Sequence, residues 1–241
     1  MRLREKLISY SIKYEGEYFR ILNAIRQDEE VEERECENCI TIVDKNYPSC
    51  LKELRYPPFV LYYKGNIKLI NNLDTIGVVG SRTPCDYAIK ATIALVRNKK
   101  ENVIVSGLAK GIDAIAHNEA STTIGILGCG IDYVYPYENK NLYKKLENEG
   151  LVLSEYPGLV KPYSYHFPFR NRIIAAMSKI IYIMQSSEKS GTVTTINEAL
   201  ELQKEIRVLP YSVYEEKGSY NNHLINEGAL LIELQELRID K

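Results

Sequence analysis

Residues Thr75–Gly107 read "TIGVVGSRTPCDYAIKATIALVRNKKENVIVSG". The apolar run "TIGVVGS" gives way to "YAIKATIALVRNK", whose apolar positions recur at helical spacing, and a second apolar run, "NVIVSG", follows. Strand, helix, strand is the signature of a parallel unit, because parallel neighbours need a long crossover between them. The alternation continues down the chain. "TIGILGC", "LVLSEYP", "KIIYIM", "IRVLPY" and "ALLIEL" supply further strands. "GIDAIAHNEA", "NKNLYKKLENEG", a short helix around "RNRIIAAMS", "VTTINEALELQK" and "NNHLINEG" lie between them. The strands are near-continuously apolar, so both faces of the sheet are covered. The fold class is α/β: a Rossmann-like, doubly wound, mainly parallel sheet with helices on both faces, preceded by a short helical N-terminal segment.

Upstream the pattern is less regular. "LREKLISYSIKYEGEYFRILNAIRQ" has helical apolar spacing interrupted at Gly16, and "DEEVEERECEN" is an acidic run that reads as a solvated face or loop. "ITIVDKNYPSCLKELRYPPFVLYYKGNI" offers short strands punctuated by proline turns. The chain therefore divides into a short helical and acidic N-terminal segment, residues 1–40, and a Rossmann-like domain with an extended lead-in, residues 41–241.

Composition narrows the function classes. The 241 residues are 45% hydrophobic and 26% charged, the profile of a folded globular chain. A net charge of −1 excludes a uniformly basic nucleic-acid coat but leaves room for a basic patch on one face. No apolar run approaches the length of a membrane span, and "MRLREKLISY" lacks a signal-peptide core, so the reading is cytoplasmic with no membrane partner. Cysteines 36, 39, 50, 85 and 129 form no even disulfide framework. Cys36 and Cys39 have zinc-knuckle spacing, but no second pair follows at a useful distance, so no metal is expected.

In an open parallel sheet, ligands bind outside the carboxyl ends of the strands. The residues just after each strand are therefore the informative ones. Gly80, Ser81 and Arg82 follow the first; Ser106, Gly107, Lys110, Gly111 and Asp113 follow the second; Gly128, Gly130 and Asp132 follow the third. Ser154, Glu155 and Tyr156 lead by a loop to His166–Arg172, "HFPFRNR"; Ser190, Gly191 and Thr192 follow the fifth strand. Glycines let backbone N–H groups approach an anion, and helix N-termini favour phosphate. Arg82, Lys110, Arg170 and Arg172 add positive charge. Neither nucleotide template fits, since G-x-G-x-x-G is absent after the first strand and no G-x-x-x-x-G-K-[ST] occurs. No nicotinamide or ATP cofactor is expected.

The segments "VVGSRTPCDYA", "SGLAKGIDAIAH", "GCGIDYVYPYEN", "LSEYPG", "HFPFRNRIIAAMS", "KSGTVTTINEAL" and "GSYNNHLINEGA" occur in that order. In this order they resemble the DNA-processing protein A family (DprA/Smf), from about Ile40 to Leu234. The resemblance implies a single-stranded DNA-binding recombination mediator that loads the recombinase RecA in natural transformation, works as a homodimer and is not an enzyme. It carries the DNA contacts to Gly80, Ser81, Arg82, Lys110, Phe167, Arg170, Asn171 and Arg172, joined by Ser190, Gly191 and Thr192. The family pattern often adds an N-terminal sterile-alpha-motif-like domain and a C-terminal winged helix. The expectation here is a short acidic segment for the first and none of the second, and Tyr87-Ala88 stands where the pattern has tyrosine-glycine.

Physically, Phe167 offers a base a stacking platform, and Arg170 or Arg172 a phosphate clamp. Arg172 can alternatively tie its loop to Glu155, and His166 can cap the loop or touch the backbone. Phe169 reads as core, His117 as packing, and Asp113 and Asp132 as capping or turn residues. Two other functions compete: a nucleoside-monophosphate phosphoribohydrolase, for which the glycine-paired loop is missing and Glu198 is wrongly spaced, and a nucleotide sensor using the same cleft.

Overall fold

The computed structural model describes residues 1–238; residues 239–241, the end of the span assigned to the Rossmann-like domain, lie outside the described residues. The strands are β1 (Cys39–Thr41), β2 (Val60–Gly65), β3 (Thr75–Gly80), β4 (Val103–Gly107) and β5 (Thr122–Ile126). They continue with β6 (Leu151–Ser154), β7 (Ile180–Gln185), β8 (Glu205–Val208) and β9 (Leu230–Leu231). The helices are α1 (Leu3–Lys13), α2 (Tyr18–Arg26), α3 (Ser49–Lys52), α4 (Asp86–Asn98) and α5 (Ile112–Glu119). After them come α6 (Lys140–Glu149), α7 (His166–Met177), α8 (Thr192–Glu201) and α9 (Ser219–Asn226).

The strands form one sheet in the order β1-β2-β6-β5-β4-β3-β7-β8-β9. From β3 the chain steps outward through β4, β5 and β6, then returns through α7 to lay β7 on the other side of β3. This reversal between β3 and β7 is the topological switch of a doubly wound sheet. All pairings from β6 to β9 are parallel, whereas β1–β2 and β2–β6 are antiparallel.

Side-chain alternation shows why the strands read as continuously apolar. Val79, Val103, Val105, Ile181 and Ile183 point into the core beneath α7 and α8. Ile76, Val78, Ile104, Tyr182 and Met184 point the other way, into the core with α4 and α5. A strand buried on both faces has no polar side to show.

The lead-in strands do not stand apart from the sheet, because β2 pairs with β6 from Tyr62 opposite Ser154 to Gly65 opposite Leu151. Leu7 and Ile8 of α1 pack with Val60 and Tyr62 of β2 and with Leu142 and Leu146 of α6. Gly16 separates α1 from α2 with φ +79°, in the left-handed region that favours glycine. The acidic run folds back over α1: Glu29 accepts from Lys13 Nζ at 2.5 Å and from Tyr14 Oη at 2.7 Å, and Arg34 N–H donates to Ser9 Oγ.

Two elements differ from the sequence reading. "ALLIEL" pairs only over Leu230–Leu231, at the sheet edge, where both side chains are about half exposed. The helix expected around "RNRIIAAMS" starts four residues earlier, so that all of "HFPFRNR" forms the first two turns of α7. Pro168 is tolerated because it sits in the first turn, where backbone N–H groups have no helical acceptor.

Candidate nucleic-acid interface

A cleft of about 600 Å³ opens outside the carboxyl ends of β3 and β7, at the switch point. α7 forms one wall, and its helical period decides which side chains reach the cleft. Phe167, Arg170, Asn171 and Ile174, spaced i, i+3, i+4 and i+7, line it together. Phe169 and Arg172 lie on another face of the same helix, outside that lining.

Opposite α7 stands the loop after β3, with Gly80, Ser81 and Arg82 in the lining. The Ser81 carbonyl accepts from Ile112 N–H at 3.1 Å. A side chain at Gly111, where φ is +75°, would place its Cβ 2.3 Å from that carbonyl. Glycine is required there for two backbones to meet and hold the Arg82 loop. The exposed Arg82 guanidinium lies 5.7 Å from the Phe167 ring centroid, and among the described residues it forms no ion pair.

The third wall is the start of α8. Ser190, Gly191 and Thr192 line the cleft, and Ser190 Oγ both donates to Thr192 Oγ1 at 2.9 Å and accepts from Thr192 N–H at 3.2 Å. Asn171 Nδ2 donates to Thr194 Oγ1 at 2.7 Å and to the Gly191 carbonyl at 3.3 Å, tying α7 to this turn.

Arg170 forms the floor. It is 5% exposed, donates through Nη1 to the Ile126 carbonyl and through Nε to Asn171 Oδ1. Asp113, also buried, flanks it across Gly107. Burial raises the Asp113 pKa, and the Arg170 charge opposes that shift. Lys110 is placed to one side, in the wall of an adjoining groove, and its Nζ is 2.5 Å from Glu138 Oε1.

Arg172 is corrected. It is 2% exposed and forms a two-pronged ion pair with Glu155, Nη1–Oε2 at 2.6 Å and Nη2–Oε1 at 2.5 Å. Its Nε and Nη1 also donate to the carbonyls of Tyr56 and Phe169, and its guanidinium lies 3.7 Å from the Phe169 ring centroid. Nothing of it faces the cleft. Of the two roles the sequence left open, it takes the tie to Glu155.

Phe169 is partly buried among Tyr18, Phe19 and Tyr56, so α7 is locked to the N-terminal segment by aromatic contacts. His166 belongs to the same junction. Its ring stacks on Tyr156 at 3.9 Å, and Nε2 lies 2.9 Å from Glu17 Oε1. Asp132 is an exposed turn residue paired with Lys64, and Asp113 sits in the first turn of α5, facing Arg170. Cys39 Sγ donates to the Cys36 carbonyl at 3.4 Å, and among the described residues no cluster of three metal-ligating side chains includes them. Tyr135 was missed as a lining residue; the only signal was its place in the turn after the third strand, "DYVYPYEN".

His117 packs, as its helix position suggests. It is fully buried, with Nε2 donating to the Gly107 carbonyl at 2.6 Å and Nδ1 2.6 Å from Thr123 Oγ1. Burial pushes its pKa down to about 4 from 6.5, against the opposing Gly107 carbonyl. The unfolded chain therefore binds the extra proton first, and stability falls as pH drops from 6.5 towards 4. This shift is worth about 3 kcal/mol. Urea melts at neutral pH and near the lower end of this window should show the loss in the wild type and less of it in His117→Gln. An equal loss in both would assign the acid sensitivity to other groups.

The family model for DNA recombination-mediator protein A matches residues 38–240. The chain belongs to this family. DNA processing protein DprA of Bacillus subtilis is 35% identical over 240 residues, covering 95% of this chain and 78% of the relative. DprA of Streptococcus pneumoniae is 38% identical over 197 residues, 80% of this chain and 70% of the relative. The X-ray structure of a Streptococcus pneumoniae DprA superposes with a TM-score of 0.81 at 30% identity, covering 96% of this chain and 94% of that one. A Helicobacter pylori DprA structure, described for its single-stranded DNA binding mode, gives 0.74 at 34% identity over 80% of this chain and 90% of its own. The Rossmann-like reading and the DprA/Smf resemblance stand confirmed. Among the described residues no helix is long and apolar enough to cross a membrane.

Proposed function

We propose that this DprA-family chain binds single-stranded DNA in the switch-point cleft and acts as a non-catalytic mediator that passes the strand to RecA during recombination of incoming DNA. One observation carries the reading: at the cleft mouth an exposed arginine, Arg82, which among the described residues has no ion-pair partner, lies beside the accessible ring of Phe167. A cation for phosphate and an aromatic face for a base are the two elements of sequence-tolerant strand binding. Gly80, Ser81, Asn171, Ser190, Gly191 and Thr192 complete the contact surface, with Arg170 beneath and Lys110 alongside. Arg172 supports α7 from behind.

The chemistry of the lining favours binding over turnover. Its carboxylate, Asp113, is buried and faces the Arg170 cation across Gly107. Glu198 is not part of the lining. The phosphoribohydrolase reading is correspondingly disfavoured.

Fluorescence anisotropy with labelled single-stranded and duplex oligonucleotides at low and moderate salt tests the proposal. The expected result is strand-selective binding that weakens as salt rises. Equal duplex binding, or none, would overturn it, and release of free base from AMP would install the enzyme in its place.

The homodimer belongs to the same proposal. At the sheet edge Leu230, Leu231 and Leu234 are 52%, 50% and 78% exposed, and an apolar edge strand of this kind calls for a cover. We expect sedimentation equilibrium to give a dimer that Leu231→Lys shifts to monomer. A wild-type monomer at all concentrations would remove the dimer and leave the cleft untouched.

A further inference from the structure

The cleft does not end at Phe167. Tyr135, whose ring centroid is 5.7 Å from that of Phe167, lines the cleft and also an adjoining groove of about 700 Å³. Tyr133, Pro136, Tyr137 and Leu159 extend this groove over the surface, with Lys110 at its inner end. Tyr137 is 69% exposed and Leu159 71%, an unusual concentration of apolar surface in open solvent.

The charges of the groove divide into occupied and available. Asp132 is held by Lys64 at 2.9 Å. Lys140 Nζ lies 5.4 Å from the Tyr137 ring centroid, and among the described residues it has no carboxylate partner. Lys110 and Glu138 pair with both side chains more than half exposed. Such a pair contributes little and exchanges readily for a stronger anion.

We propose that this groove is a second base-stacking site, which carries a single strand of DNA onward from the cleft across Tyr135 and Tyr137, with a strand phosphate displacing Glu138 from Lys110. The occupant is argued from continuity through the shared Tyr135 wall, from Lys110 in the groove lining and from Lys140 beside the Tyr137 ring. Rings serve any base, so the extension adds affinity without adding sequence preference. Glu138 then acts as a built-in competitor, holding Lys110 until a strand arrives. The inference rests on the cleft binding single-stranded DNA.

The test compares an oligothymidylate of about four nucleotides, enough for the cleft, with one of about twelve that reaches the groove. Wild type should bind the longer strand more tightly. The Tyr137→Ala/Lys140→Ala variant, altered only at exposed positions, should lose about fivefold or more for the long strand and leave the short one unchanged. Glu138→Gln should tighten the long strand, because it frees Lys110 and removes a like charge from the phosphate path. If wild type binds both strands and the double variant matches it on each, the groove proposal fails while the cleft reading stands. Weaker long-strand binding by Glu138→Gln would also overturn it. If wild type binds neither strand, the cleft reading fails and the groove falls with it.

Discussion

Arg172→Ala should lower the thermal unfolding midpoint by about 6–20 °C. The expectation follows from its setting: a guanidinium 2% exposed, donating two hydrogen bonds to a carboxylate 5% exposed. Removing one partner of a buried pair strands the other without water, which costs about 3–5 kcal/mol. In a chain of this size each kcal/mol moves the midpoint by about 2–4 °C. The carbonyls of Tyr56 and Phe169 lose a donor as well. Replacing both partners with apolar residues, Arg172→Met with Glu155→Leu, should recover a measurable part of the loss, because no bare charge then remains. Differential scanning calorimetry reads both variants. Loss of DNA binding by Arg172→Ala would by itself say nothing about contact, so binding must be measured well below the lowered midpoint, where the folded fraction should still bind. A midpoint unchanged within about 2 °C, together with lost binding, would return Arg172 to the interface.

The Arg82→Ala/Phe167→Ala variant should behave in the opposite way, folding normally and failing to hold a strand. Arg82 is exposed and Phe167 only partly buried, so neither change opens a large cavity in the core. A stacked base is worth about 1–3 kcal/mol, so the ring alone accounts for roughly a 5- to 150-fold loss of affinity. Removing one phosphate contact should also flatten the dependence of log K on log salt by about 0.7. The two readouts separate the residues, since Phe167→Ala should weaken binding at every salt concentration whereas Arg82→Ala should change the slope. Anisotropy titrations of the single and double variants measure both. Wild-type affinity and slope in the folded double variant would remove single-stranded DNA from this cleft.

Much of this molecule was legible in its sequence. The apolar runs from "TIGVVGS" to "IRVLPY" correspond to β3 through β8, because strands buried on both faces leave an unbroken apolar signal. Gly16 marked the break between α1 and α2 for an equally local reason, its positive φ. The carboxyl-edge rule located the cleft, since it follows from strand direction alone. Local chemistry could not reveal which residues of "HFPFRNR" face that cleft. Two aromatics and a proline ahead of the expected helix disguise its start, yet Pro168 falls where a helix tolerates it. Once the segment is helical, its period turns Phe167, Arg170 and Asn171 towards the cleft and Phe169 and Arg172 away from it. Arg172 then meets Glu155 after β6 and the aromatic junction with α2, partners brought together by tertiary packing. Composition and local pattern determined the sheet and the edge where the cleft opens. Tertiary structure alone sorted two arginines two residues apart into a cleft floor and a buried ion pair, because burial depends on what lies across the fold and no local spacing records it.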